Sequence, residues 1–184
     1  MPVQTPICDF GKKALPFELK STDNKIISLD DIKGENGTLI MFICNHCPYV
    51  KAITKEIVED CNELKKIGIN SVAICSNDFI NYPEDSFDNM IKFSKDNQFS
   101  FPYLQDETQK IAKTYDAVCT PDFFGYDKDL GLQYRGRLRE LKNFIPVKDG
   151  ESDLLKAMKQ IAETSKGPQD QIPSAGCGIK WKYD

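Results

Sequence analysis

An unbroken apolar run, Leu39-Ile40-Met41-Phe42-Ile43, ends directly in Cys44-Asn45-His46-Cys47-Pro48, and an amphipathic segment follows. The run lacks polar alternation, so Thr38 to Ile43 is expected to be a strand buried on both faces. From Pro48 to Ile67, Val50, Ile53, Ile57, Cys61, Leu64 and Ile67 recur at helical spacings, and Gly68 stops the run. Pro48 suits a first helical turn, where its missing N–H costs nothing. Ile69 to Cys75 is a second apolar strand. The resulting β-α-β unit requires a parallel, right-handed crossover.

The remaining segments extend this core. Phe17 to Lys20 and Lys25 to Leu29 read as a hairpin around Ser21-Thr22-Asp23-Asn24. Asp85 to Asn97 is expected to be a helix, and Phe99 to Leu104 an extended piece. Asp106 and Gln109 form a capping signature for a helix through Tyr115. Asp122 to Tyr126 and Leu132 to Tyr134 read as a second hairpin. Ser152 caps a last helix with Leu154, Leu155, Met158, Ile161 and Ala162 on its apolar face. The expected fold is α/β: one domain over 1–184 with a mixed central sheet flanked by helices, and with extensions at 1–14 and 166–184. The second extension reads as an irregular tail.

With 184 residues the chain can bury a real core. A net charge of −4 with scattered lysines argues against nucleic acid as a partner, and no apolar stretch approaches a membrane span. No signal peptide is visible at Met1-Pro2-Val3-Gln4-Thr5-Pro6, so a cytoplasmic location is expected. Seven cysteines in such a setting argue against a disulfide framework, and Cys61 and Cys75 read as small buried hydrophobes.

Cys44 and Cys47 are different. They stand where a buried strand turns into a helix, and a helix N-terminus lowers a thiol's pKa. Cys44 is expected at an exposed N-cap and Cys47 a turn deeper. Cys44 would attack a partner disulfide and Cys47 would resolve the mixed disulfide. This chemistry needs no cofactor. Zinc is the rival use of a Cys-x-x-Cys pair, but the chain offers no second close pair of ligands. His46, the only histidine, reads either as an exposed polar residue or, when protonated, as a group that stabilises the Cys44 thiolate. Cys119-Thr120-Pro121 precedes the second hairpin. Its proline suits an ordinary turn or a cis peptide.

A β-α-β unit with Cys-x-x-Cys at its helix start, and a later Thr-Pro before a β-hairpin, resembles the thioredoxin fold. More narrowly, several blocks resemble the peroxiredoxin-like branch of that superfamily, the alkyl hydroperoxide reductase/thiol-specific antioxidant-like redoxins. They are Phe42 to Lys51, Asn81 to Ser86, Phe101 to Leu104, Cys119 to Phe124, Tyr134 to Arg137 and Gly176 to Lys182. The resemblance implies that Pro121 is a cis-proline facing the active-site disulfide and that Thr120-Pro121 helps to hold a substrate strand. It also implies that Cys47 corresponds to the peroxide-reactive cysteine. Peroxiredoxins carry a threonine three residues before that cysteine and a proline seven before it. Here those positions are Cys44 and Ile40. Arg135 and Arg137 are the candidates for the arginine that peroxiredoxins place near the thiolate.

Three functions follow from these observations. The first is a thiol–disulfide oxidoreductase acting on a protein or small-molecule disulfide and recycled by a reductant. The second is a thiol peroxidase for a hydroperoxide, with Cys47 peroxidatic and Cys44 resolving. The third is a redox-responsive binding module without turnover. Cys119 is expected near the disulfide. Cys177 and Trp181 read as packing residues of the tail, with an auxiliary thiol approaching Cys44 as the alternative.

Overall fold

The computed structural model describes residues 1–183. Asp184, the last residue of the expected tail, lies outside the described residues. A short strand β1 (Val3–Gln4) precedes the expected hairpin, β2 (Glu18–Ser21) and β3 (Ile26–Ser28). Ser28 ends that hairpin by capping a single helical turn, α1 (Leu29–Ile32): its Oγ accepts the Asp31 N–H, and the Asp31 carboxylate accepts the Ser28 N–H. The apolar run forms β4 (Gly37–Phe42).

The expected helix after Cys47 is broken into α2 (Pro48–Lys51) and α3 (Thr54–Lys66). Ile53 leaves helical geometry at ψ 2°, and the Thr54 hydroxyl donates to the Val50 carbonyl at 2.7 Å. Next come β5 (Ile69–Cys75), α4 (Phe87–Asp96) and β6 (Tyr103–Gln105). Ser86, rather than Asp85, caps α4. The following helix, α5 (Lys110–Thr114), starts later than its capping signature suggests. Asp106 does accept helix N–H groups, those of Ile111 and Ala112, but Gln109 adopts a left-handed backbone and sends its side chain elsewhere.

Strand β7 (Cys119–Thr120) leads into the second expected hairpin, β8 (Asp122–Tyr126) and β9 (Leu132–Tyr134). A small ribbon, β10 (Leu141–Lys142) and β11 (Ile145–Pro146), precedes α6 (Asp153–Thr164), which Ser152 caps as expected. The tail is not wholly irregular: it contains β12 (Ala175–Gly178).

Seven strands form the central mixed sheet in the order β3-β2-β6-β5-β4-β8-β9. Strands β4, β5 and β6 run parallel, and β8 joins β4 antiparallel. Side chains of the central strand divide by parity. Leu39 and Met41 enter a core closed by α3, α4 and α6, while Ile40 and Phe42 enter a second core closed by α1 and α5. The dithiol segment therefore leaves the carboxyl end of a strand buried along its whole length.

A second, three-stranded sheet, β1-β12-β7, covers that same end of the molecule. Its middle strand is the tail. Cys177 pairs with Thr120 and Gly178 with Cys119, while Val3 and Gln4 pair with Gly176 and Ala175 on the other edge. No helix among the described residues is long and apolar enough to cross a membrane.

Candidate functional site: a three-thiol cluster

Helix α2 begins at Pro48, so its N-cap is Cys47 and not Cys44. Proline fixes the first helical residue, and the residue before it must be extended; Cys47 has φ −72° and ψ 124°. Cys44 lies before the helix, only 1% exposed, and Cys47 is fully buried. The expected exposed Cys44 at a helix start is thus corrected on both counts: proline moves the start by one turn, and β7 with the tail covers the loop.

Cys44 Sγ lies 3.5 Å from Thr120 Oγ1. Cys47 Sγ lies 3.2 Å from the Thr120 carbonyl and 3.0 Å from Cys177 Sγ. The Thr120–Pro121 peptide is cis. The structure thus gathers Cys44, Cys47, Thr120 and Pro121, and adds Cys177 beside Cys47 rather than beside Cys44. Cys119 lies on the same strand as Thr120, within electrostatic reach of Cys47 and Cys177, buried with its thiol 3.6 Å from the Pro121 carbonyl. Burial pushes its pKa well up.

The two motif thiols are pushed in opposite directions. Cys47 is drawn down to about 4, first by its interaction with the Cys44 thiol and then by Cys177 and the N–H groups of Val50 and Cys177, against the cost of burial. Cys44 is pushed far up because of that same interaction, because it is buried, and because Asp85 is near. Cys177 is raised to about 11, mainly by burial and by its bond to Cys47. The Thr120 carbonyl accepts the Cys47 S–H when that thiol is protonated.

A ring nitrogen of His46 lies within 4.8 Å of both Cys44 Sγ and an Asp85 oxygen. His46 Nδ1 approaches Asp85 Oδ2 to 2.7 Å, a contact not aligned as a hydrogen bond, and its ring stacks on Tyr82 at 6.0 Å. Any positive charge on His46 is therefore met by a carboxylate. Asp85, which the sequence suggested only as a helix start, organises the loop: it accepts the Asn45 N–H at 2.8 Å and the Asn77 side-chain amide at 2.8 Å. Asn45 in turn accepts the Tyr103 hydroxyl at 2.8 Å. Cys44, His46 and Asp85 bring possible metal-ligand atoms within 4.8 Å of one another. Both Asp85 oxygens already accept protein N–H groups, so this cluster reads as a clamp on the loop.

The expected arginines are also committed. Arg135 pairs with buried Asp122 at 2.9 Å, and Arg137 with Asp153 at 2.7 Å. Arg139, the third arginine, pairs with Glu56 at 2.7 Å. An open groove borders Pro121, lined by Tyr49, Ile53, Leu138 and Ile172, with Arg137 among its polar residues.

The AhpC/TSA family model matches residues 10–137, which include Cys44, Cys47, Thr120 and Pro121. The chain belongs to the AhpC/TSA family. This AhpC/TSA redoxin is 42% identical to an uncharacterized conserved protein from Geobacillus kaustophilus, with a TM-score of 0.95 over 100% of this chain and 98% of that one. A hypothetical protein from Sinorhizobium meliloti 1021 is 31% identical, with a TM-score of 0.91 over the whole of both chains. The fold is thioredoxin-like and peroxiredoxin-like. At 14% identity, peroxidoxin BcpB from Mycobacterium tuberculosis superposes with a TM-score of 0.59 over 83% of this chain and 92% of its own. No curated sequence matches the redoxin significantly.

Proposed function

We propose that this AhpC/TSA redoxin is a thiol–disulfide oxidoreductase whose working pair is Cys44 and Cys47, with Cys47 carrying the thiolate. The observation that supports exchange over peroxide reduction is the fate of the arginines. Each of the three is bonded to a carboxylate, and Cys44 occupies the position of the peroxidase threonine. A peroxide at Cys47 would lack that hydroxyl to polarise its O–O bond, and Arg137, which lines the groove beside Pro121, already holds Asp153 through Nε.

The dithiol reduces a disulfide in two steps. The Cys47 thiolate forms a bond to one substrate sulfur, and the other substrate sulfur leaves as a thiolate and takes up a proton. Cys44 then gives up its proton and attacks Cys47 Sγ. The Cys44–Cys47 disulfide forms, and the second substrate sulfur leaves as a thiol. Two electrons pass from protein to substrate, and a reductant returns them. The groove beside Pro121 offers apolar surface for a peptide segment next to the disulfide.

Stopped-flow mixing of reduced protein with hydrogen peroxide and with a protein disulfide such as insulin tests this assignment. The disulfide should oxidise the Cys44/Cys47 pair faster than peroxide does, and Cys44→Ser should leave Cys47 held in a disulfide that Cys44 can no longer resolve. A peroxide reaction faster than the disulfide reaction, with sulfenic acid accumulating on Cys47 of Cys44→Ser, would overturn it.

A further inference from the structure

Cys47 is fully buried, yet exchange requires access to a sulfur. What covers it is the tail. Strand β12 lies against β7, the strand that leads into Pro121, and pairs Cys177 with Thr120. A free backbone edge of this kind is where an extended peptide adds as an extra strand. Here the chain fills its own edge, and the residue it presents to Cys47 at 3.0 Å is a cysteine. Gly176 permits the fit: a Cβ there would stand 2.0 Å from the Thr120 carbonyl oxygen.

The tail is held along its length. Its other edge pairs with β1. The Ile179 N–H donates to the Val118 carbonyl, and the Ser174 hydroxyl donates to the Pro121 carbonyl at 2.8 Å. Beyond the strand, the Lys180 carbonyl accepts from the Asp78 N–H and from the Gln109 side-chain amide, while the Lys180 N–H donates to Asn77 Oδ1. This is the destination of the Gln109 side chain. A segment bonded on both edges and at its end does not peel away readily, whereas Cys177 itself is partly exposed.

We infer that the tail strand is a built-in substrate: Cys177 forms a disulfide with Cys47 and is the sulfur through which external partners reach the buried pair. The inference rests on the dithiol exchange proposed above. A substrate disulfide is attacked by Cys177: one substrate sulfur bonds to Cys177 Sγ, and the other leaves and takes up the proton that Cys177 gives up, so that Cys47 stays a thiolate. Cys47 then attacks Cys177 Sγ, closing a Cys47–Cys177 disulfide and releasing the second substrate sulfur, which is protonated from solvent. Finally Cys44 loses its proton and attacks Cys47 Sγ, and Cys177 departs and takes up a proton. In reverse, a reductant's thiolate attacks the Cys177 sulfur of the Cys47–Cys177 bond. Cys47, the thiol whose anion is best held, is the leaving group.

The test starts from linkage. Reduced Cys44→Ser protein is oxidised with one equivalent of diamide, quenched in acid, alkylated and mapped by mass spectrometry. Cys47 joined to Cys177 is the expected product, and the same bond should coexist with Cys44–Cys47 in oxidised wild-type protein. Cys177 fully alkylated in both would overturn the inference. In Cys177→Ser, diamide should still close Cys44–Cys47, while exchange with insulin falls at least about tenfold. An unchanged exchange rate would also overturn it. If wild-type protein exchanges with no disulfide at all, the dithiol-exchange reading fails, and the linkage in Cys44→Ser still decides whether Cys177 is a redox thiol.

Discussion

Two buried cysteines stand at the carboxyl ends of neighbouring parallel strands and meet opposite fates. Cys75 is the last residue of β5, and Cys47 follows β4 through the short dithiol loop. Both are essentially inaccessible to solvent. Burial, reinforced by the charge of Asp85, pushes the Cys75 thiol up to about 12, whereas Cys47 is drawn down to about 4. Burial alone therefore does not decide a thiol's chemistry. Cys47 stands beside the thiols of Cys44 and Cys177 and the backbone N–H groups of Val50 and Cys177; Cys75 lies near the charge of Asp85.

The largest expected effect breaks the contrast by deletion. Cys47→Ser should lower disulfide exchange by at least about a hundredfold, because the thiolate is the reacting species, while Cys75→Ser should leave it within about twofold. Insulin reduction assays of the two variants check this; equal losses would show that the two sulfurs are not distinguished by their surroundings.

A second effect appears in the pH dependence of stability. The Cys47 pKa is about 4 in the folded, reduced protein and near 9 in an ordinary thiol. Between those values the unfolded chain binds the extra proton, so stability should rise from pH 4 towards pH 9 and fall as pH drops through 4. Denaturant titrations across that range should show the slope in wild type and lose it in Cys47→Ser. Cys75→Ser should keep it, since a thiol raised to about 12 stays protonated throughout.

The smallest effect sharpens the comparison. Asp85→Asn removes the charge that raises both Cys75 and Cys44, so both thiols should titrate lower. It also disturbs the bonds from Asn45 and Asn77, at a cost of roughly 1–3 kcal/mol to folding. Thiolate absorbance against pH, together with chemical unfolding, reads both consequences. Unchanged titration would show that Asp85 acts on the loop only as a hydrogen-bond acceptor.

Much of the scaffold was legible because its signals are local. The apolar run of β4, the helical spacing after Pro48 and both hairpins appear in the structure near their expected places. The helix start was misjudged by a turn because Cys44 and Cys47 look alike in sequence, and only the extended backbone demanded by Pro48 separates them. The break at Ile53 leaves no mark in the spacing of the apolar residues. Gln109 looked like a local cap but bonds residues 33 and 71 positions away. The tail strand was the least legible. Ala175-Gly176-Cys177-Gly178 has no strand-forming pattern, and its conformation comes from β1 and β7, which lie far off in the chain.

Gly176 leaves that tail little room to vary. At most positions in a protein, substitution offers a graded series, from a slightly larger side chain to a much larger one, and packing adjusts in proportion. Where backbone rests on backbone, as Gly176 does on Thr120 and Pro121, that series has no first step. Any other residue displaces the strand itself. A single substitution at Gly176 would therefore unseat the tail at once rather than loosen it by degrees.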